Sequence, residues 1–166
     1  MNIYEFAMKM ELDGKKYYEK LMNSAEDEGL KKIFKMLAQD EEEHHRIIKN
    51  MKDMNTKHIK SETLKNANNI FSKMLCTDQK FNLSSTAIKA YEHALNLEDE
   101  SIRLYEDKYE KSENKGEKKV FRSLADEEKR HKLIIENILD FVRQPERERA
   151  VKTVDSDPEF ARFENL

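Results

Sequence analysis

Apolar and small residues recur at helical spacing near the start of the chain, at Tyr4, Ala7, Met8, Gly14, Tyr18, Leu21 and Met22, with Glu11 in the middle of the stripe. The polar run Ser24–Gly29 interrupts it, and the stripe resumes at Leu30, Ile33, Phe34, Leu37, Ala38, Ile47, Ile48 and Met51. Glu41 and His44 occupy the gap in that second stripe. The pattern predicts two helices joined by a turn, and residue 26, midway between Glu11 and Glu41, falls inside it. An antiparallel pair joined there carries both glutamates to nearly the same height, roughly 22 Å from the turn at ~1.5 Å per residue.

The pattern then occurs again. Shifted by 87 positions, residues 4–50 fall on 91–137 without a gap, and 18 of 47 positions are identical. The matches include Tyr4/Tyr91, Glu11/Glu98, Tyr18/Tyr105, Gly29/Gly116, Phe34/Phe121, Leu37/Leu124, Glu41/Glu128, His44/His131 and Ile48/Ile135. Residue 113, midway between Glu98 and Glu128, again lies in a polar run, Ser112–Gly116. The chain is therefore two copies of a helical hairpin, which predicts an all-α four-helix bundle.

Hairpin 1 is expected over about 2–55, a long crossover over about 56–83 and hairpin 2 over about 84–143, with a tail at 144–166. The crossover holds a short helical pattern from Leu64 to Leu75. It is long enough to return along the bundle, or to let two chains exchange hairpins as a homodimer. In the tail, Asp157 and Pro158 read as a helix start that Phe160 and Phe163 would anchor.

Composition narrows the classes. Only three glycines and two prolines occur, so long helices meet few breakers. Acidic and basic residues, 34 against 31, nearly balance, and no strong field points to nucleic acid or an anionic membrane. The one cysteine, Cys76, excludes an internal disulfide and a four-cysteine metal knuckle, and reads as a small hydrophobe. No basic, apolar leader and no long apolar run stands out, so a cytoplasmic protein outside the membrane is expected.

The chemistry lies in the residues that interrupt the apolar stripes. Each hairpin contributes one lone Glu and one Glu-x-x-His pair, and an i, i+3 spacing puts both ligands of such a pair on one helix face. Four carboxylates, Glu11, Glu41, Glu98 and Glu128, would nearly neutralise two divalent cations, with His44 and His131 as nitrogen ligands. In this two-ion reading Glu41 and Glu128 bridge, Glu11 and Glu98 are terminal, and each histidine caps one ion. Mixed oxygen and imidazole ligation suits iron or manganese, and admits zinc. Without cations, four carboxylates on buried stripes would each cost several kcal/mol or shift sharply in pKa.

Glu42 with His45 offers a competing register. It sits about 100° off the stripe, and its repeat partners, Lys129 and Lys132, cannot ligate. Asp40, Glu42 and Glu43 read as a solvated face, and His45, His58 and His93 as surface residues. Tyr18 and Tyr105, two turns from Glu11 and Glu98, are placed to hydrogen-bond ligand carboxylates or to sit in the core. The small pair Gly14/Ser101 leaves space for dioxygen or peroxide, or for close helix contact.

These residues resemble the rubrerythrin branch of the ferritin-like di-iron proteins. The resemblance rests on Ala7-x-x-x-Glu11-x-x-Gly14-x-x-x-Tyr18, Leu37-Ala38-x-x-Glu41-x-x-His44, Ala94-x-x-x-Glu98 with Tyr105, and Leu124-Ala125-x-x-Glu128-x-x-His131, and covers about residues 1–142. It implies a ferritin-like four-helix bundle with two iron ions that reduces hydrogen peroxide, or reacts with dioxygen while oxidising ferrous iron. Rubrerythrins proper take in electrons through a rubredoxin-like domain with a four-cysteine iron. With Cys76 alone this chain needs an external electron-donor protein. The family also carries a further glutamate where this chain has Ser101, which brings the ligand set closer to a symmetric four-Glu, two-His site.

Overall fold

The computed structural model describes residues 2–51, 61–75 and 84–143. Among them run five helices: α1 (Ile3–Ser24), α2 (Glu28–Asn50), α3 (Thr63–Leu75), α4 (Ser85–Lys111) and α5 (Lys115–Arg143). No strand occurs among the described residues. The two hairpins fold as the repeat requires, with turns at residues 25–27 and 112–114.

Local chemistry starts each helix. Asn2 caps α1 through a reciprocal pair of bonds: its side chain accepts from the Glu5 amide at 2.9 Å, and Glu5 accepts from the Asn2 amide at 3.1 Å. Asp27 accepts from the Leu30 amide at 2.9 Å to open α2, and Ser84 from the Ala87 amide at 3.2 Å to open α4. Asn114 receives the Gly116 and Glu117 amides at 2.8 and 3.1 Å, so α5 begins immediately after the turn.

Helices α1 and α2 pack along their length, as do α4 and α5, and the hairpins meet in a ferritin-like four-helix bundle. The expected crossover helix is present as α3. It lies on α2 and α5 and buries Leu64, Ala67, Phe71 and Met74, with the Phe71 ring tilted against Phe141 at 6.2 Å between ring centroids. Gly29 permits that approach: a Cβ there would stand 3.0 Å from Met74 Sδ and 3.1 Å from Ile70.

The apolar interior divides in two. One cluster gathers Tyr18, Leu30, Ile33, Phe34, Leu37, Phe71, Tyr91, Ile134 and Ile138, and the other Ala7, Ile48, Tyr105, Phe121 and Leu124. Each cluster contains one of two aromatic ladders related by the repeat, Tyr18–Phe34–Tyr91 and Tyr105–Phe121–Tyr4. Between the clusters lies a buried polar layer. Among the described residues no helix is long and apolar enough to cross a membrane. Cys76, His58 and the tail with Asp157, Pro158, Phe160 and Phe163 lie outside the described residues.

Candidate metal centre

The polar layer consists of the residues that interrupt the apolar stripes. Glu11 on α1, Glu41 and His44 on α2, Glu98 on α4, and Glu128 and His131 on α5 are all at least 96% buried. Their ligand atoms form two overlapping groups, Glu11, Glu41, His44 and Glu128 in one and Glu41, Glu98, Glu128 and His131 in the other. Within each group the atoms lie within 4.8 Å of one another. Glu41 and Glu128 belong to both, which is the geometry that two bridging carboxylates need.

Both histidines turn Nδ1 into this layer. His44 Nδ1 stands 3.0 Å from Glu128 Oε1 and 3.4 Å from Glu11 Oε2. His131 Nδ1 stands 3.0 Å from Glu41, 3.2 Å from Glu128 and 3.7 Å from Glu98. A ring nitrogen carries at most one proton, so it cannot serve three carboxylates at once. Glu11 Oε2 and Glu128 Oε2 are accordingly buried without a hydrogen-bond donor. Orphaned buried carboxylate oxygens beside crowded imidazoles are what divalent cations would satisfy, and the mixed oxygen and nitrogen donor set fits iron.

The electrostatics agree. Burial, followed by the charge of Glu128, drives the Glu41 and Glu98 carboxyls well above the ordinary carboxylate range. Burial also acts to raise Glu128, but His44 and His131 beside it overcome that and hold it below the range. Burial disfavours charge on the imidazoles, yet the surrounding carboxylates prevail, and both histidines are raised well above their usual value. Protons on the imidazoles and acids thus supply the neutralisation that metal would otherwise supply.

Tyr18 donates its hydroxyl proton to Glu98 Oε1, and Tyr105 donates to Glu11 Oε1. Each tyrosine therefore holds a buried carboxylate of the opposite hairpin. Burial and then the neighbouring carboxylates push both phenols well above their ordinary value, so they remain donors. The space beside Gly14 is taken by Glu41: a Cβ at Gly14 would lie 3.2 Å from Glu41 Oε2. Close side-chain approach, rather than room for a small molecule, explains that glycine. Ser101 turns its hydroxyl back to the Leu97 carbonyl at 3.1 Å and adds no carboxylate to the layer.

One expectation is corrected. Glu42 and Glu43 are exposed, with Glu42 on Lys15 at 3.0 Å, but Asp40 is not part of a solvated face. Its Oδ2 lies 3.1 Å from His131 Nε2. Asp40 sits only one residue before Glu41, and His131 of α5 reaches that flank. Its repeat partner Glu127, which no stripe singles out, is 1% exposed. An acidic residue at both repeat-related positions was the available signal. His45 is half-buried outside the layer, and His93 is exposed with its ring edge on Tyr17.

A bundle with four carboxylates and two imidazoles sealed in its middle layer defines a class of helical proteins whose centre is compatible with two iron ions. The rubrerythrin family model matches residues 2–139. The chain belongs to the rubrerythrin family. No curated protein and no solved structure matches it. Its single cysteine cannot form a four-cysteine iron site of the rubredoxin kind.

Proposed function

We propose that the chain is a non-haem di-iron oxidoreductase that reduces hydrogen peroxide or dioxygen in the cytoplasm, with electrons from a separate donor protein. The observation that carries this reading is the pair of four-residue donor groups sharing Glu41 and Glu128. Glu11 and His44 would complete one metal position, and Glu98 and His131 the other. Bound there, iron supplies Lewis acidity and the electrons for cleaving an oxygen–oxygen bond.

The chain's own residues do the rest. Tyr18 and Tyr105 fix the terminal carboxylates through bonds between hairpins, which limits how far Glu98 and Glu11 swing. The apolar clusters on either side of the layer exclude bulk water and strengthen every charge interaction within it.

A second reading, a ferroxidase or iron-handling protein without a dedicated substrate, is favoured by Ser101. Its hydroxyl is held on its own helix, and the six remaining donors form a set that is symmetric under the repeat. Anaerobic loading with ferrous iron followed by a peroxide pulse separates the two. Rapid oxidation at two irons per chain, with repeated turnover when a reductase and redox protein are added, supports the oxidoreductase. One oxidation with no further turnover supports iron handling. Failure to load iron sinks both.

A further inference from the structure

Behind the two histidines, on the side away from the shared carboxylates, lies a second set of groups. His131 Nε2 stands 3.1 Å from Asp40 Oδ2, and Glu127 has an oxygen within 4.8 Å of a ring nitrogen of both His44 and His131. His44, Glu127 and His131 form a third group of donors, but the imidazoles argue against an ion there. With Nδ1 turned to the carboxylate layer as a ligand, the neutral ring carries its proton on Nε2 and offers a donor there. Asp40, 3.1 Å from that nitrogen of His131, is then its acceptor.

Both acids are held by one residue of the connection between the hairpins. Ser61 Oγ donates to Asp40 Oδ2 at 2.8 Å, and the Ser61 amide donates to Glu127 Oε1 at 3.1 Å. Thr63 Oγ1 lies 2.8 Å from Ser61 Oγ, and the Thr63 amide donates to that oxygen at 3.0 Å. The single serine proton goes to the charged acceptor, which leaves the threonine hydroxyl to donate back. Asp40 and Glu127 are repeat equivalents, but Ser61 has no counterpart in the duplication. The connection thus ties the two hairpins together behind their metal-binding faces.

We propose that Ser61 is a positioning residue for the metal centre: through Asp40 it fixes the tautomer and ring orientation of His131, and its bond to Glu127 anchors that link on α5. The proposal rests on the metal-centre reading above. It extends it by giving the connection between the hairpins a part in the site, and it makes the two histidines inequivalent. Asp40 meets His131 directly, whereas Glu127 also carries Arg130 at 3.4 Å.

Zinc, being diamagnetic, is the probe. The full chain is loaded with zinc alone, its affinity is measured by chelator competition, and the ring nitrogens of His44 and His131 are observed by NMR. In the wild-type protein His131 should show a metal-bound Nδ1 and a protonated Nε2 protected from exchange. Asp40→Asn should weaken zinc binding by about ten- to a hundredfold and shift the His131 Nε2 proton. Ser61→Ala should move the same signal and weaken binding by a smaller factor. Ser61→Thr, which keeps the hydroxyl, should restore both. Wild-type protein that loads zinc while Ser61→Ala and Asp40→Asn match it in affinity and ring signals overturns the clamp alone. Loss in Ser61→Ala without rescue by Ser61→Thr overturns the role of the hydroxyl. Wild-type protein that takes up no zinc overturns the metal reading and the clamp with it.

Discussion

Tyr18, on the first hairpin, donates its hydroxyl proton to Glu98 on the second. The ring itself is buried beside Phe34, 6.5 Å away between centroids, so Tyr18→Phe removes the hydroxyl and leaves the packing. Leaving a buried acceptor without its donor costs about 1–3 kcal/mol. Tyr18→Phe should therefore weaken binding at the Glu98 position by roughly tenfold or more. Tyr105→Phe should do the same at the Glu11 position. Calorimetric titration of each variant with ferrous or zinc ion reads this directly, and unchanged affinity in both would deny the tyrosines any hold on the ligands.

Glu128 and Glu42 test the ligand register. Glu128 belongs to both donor groups and is fully buried, so Glu128→Ala should lower occupancy at both metal positions. Glu42 is exposed and paired only with Lys15. Glu42→Ala should retain two metals per chain and change stability by no more than about 0.5 kcal/mol. Elemental analysis after loading checks both, and equal metal content in the two variants would show the register to be wrong.

The fold and the six central residues were legible because both follow from periodicity. The midpoints between paired glutamates, residues 26 and 113, fall within the turns the chain makes. The duplication also favours Glu41 over Glu42, since Lys129 offers no ligand at the second site, and the structure buries Glu41 and exposes Glu42. Asp40 and Glu127 were not legible from the stripes, because they lie about 100° off the inward direction. What covers them is contact between the hairpins and their connection: Asp40 meets His131 of α5, and Ser61 bonds both acids. One helix's spacing carries no information about which neighbour covers its side. The sequence marks Gly14 as a place where space matters, but only the packed structure shows that Glu41 fills it.

Gly14 separates helix stability from metal binding. Alanine is the better helix former by about 1 kcal/mol, but its Cβ would stand 3.2 Å from Glu41 Oε2 and 3.4 Å from Cδ. The carboxylate must turn aside, and Glu41 serves both donor groups. Gly14→Ala should leave the metal-free melting temperature equal to or above that of the wild type while lowering metal affinity on the order of tenfold. Thermal denaturation with and without metal shows both effects. Wild-type affinity in this variant would mean that Glu41 has other room to bind.

The metal-free protein should lose stability as the solution becomes alkaline. Burial and then Glu128 raise Glu41 and Glu98, and the carboxylates around His44 and His131 raise those imidazoles against the opposing effect of burial. A group raised in the folded state holds its proton more tightly there. Its stabilisation is complete below the unfolded value and drains away as pH climbs through the folded one. Glu128 acts oppositely: its lowered value stabilises above the ordinary carboxylate range and fails only as pH falls through that lowered value. In the window between about pH 6 and pH 9, only the raised groups among these five are changing. The metal-free melting temperature should therefore fall across it. Metal replaces those protons, so the loaded protein should stay nearly level and the increment due to metal should widen with pH. A metal-free melting temperature that holds steady or rises over this window would contradict the crowding of acids that the whole centre depends on.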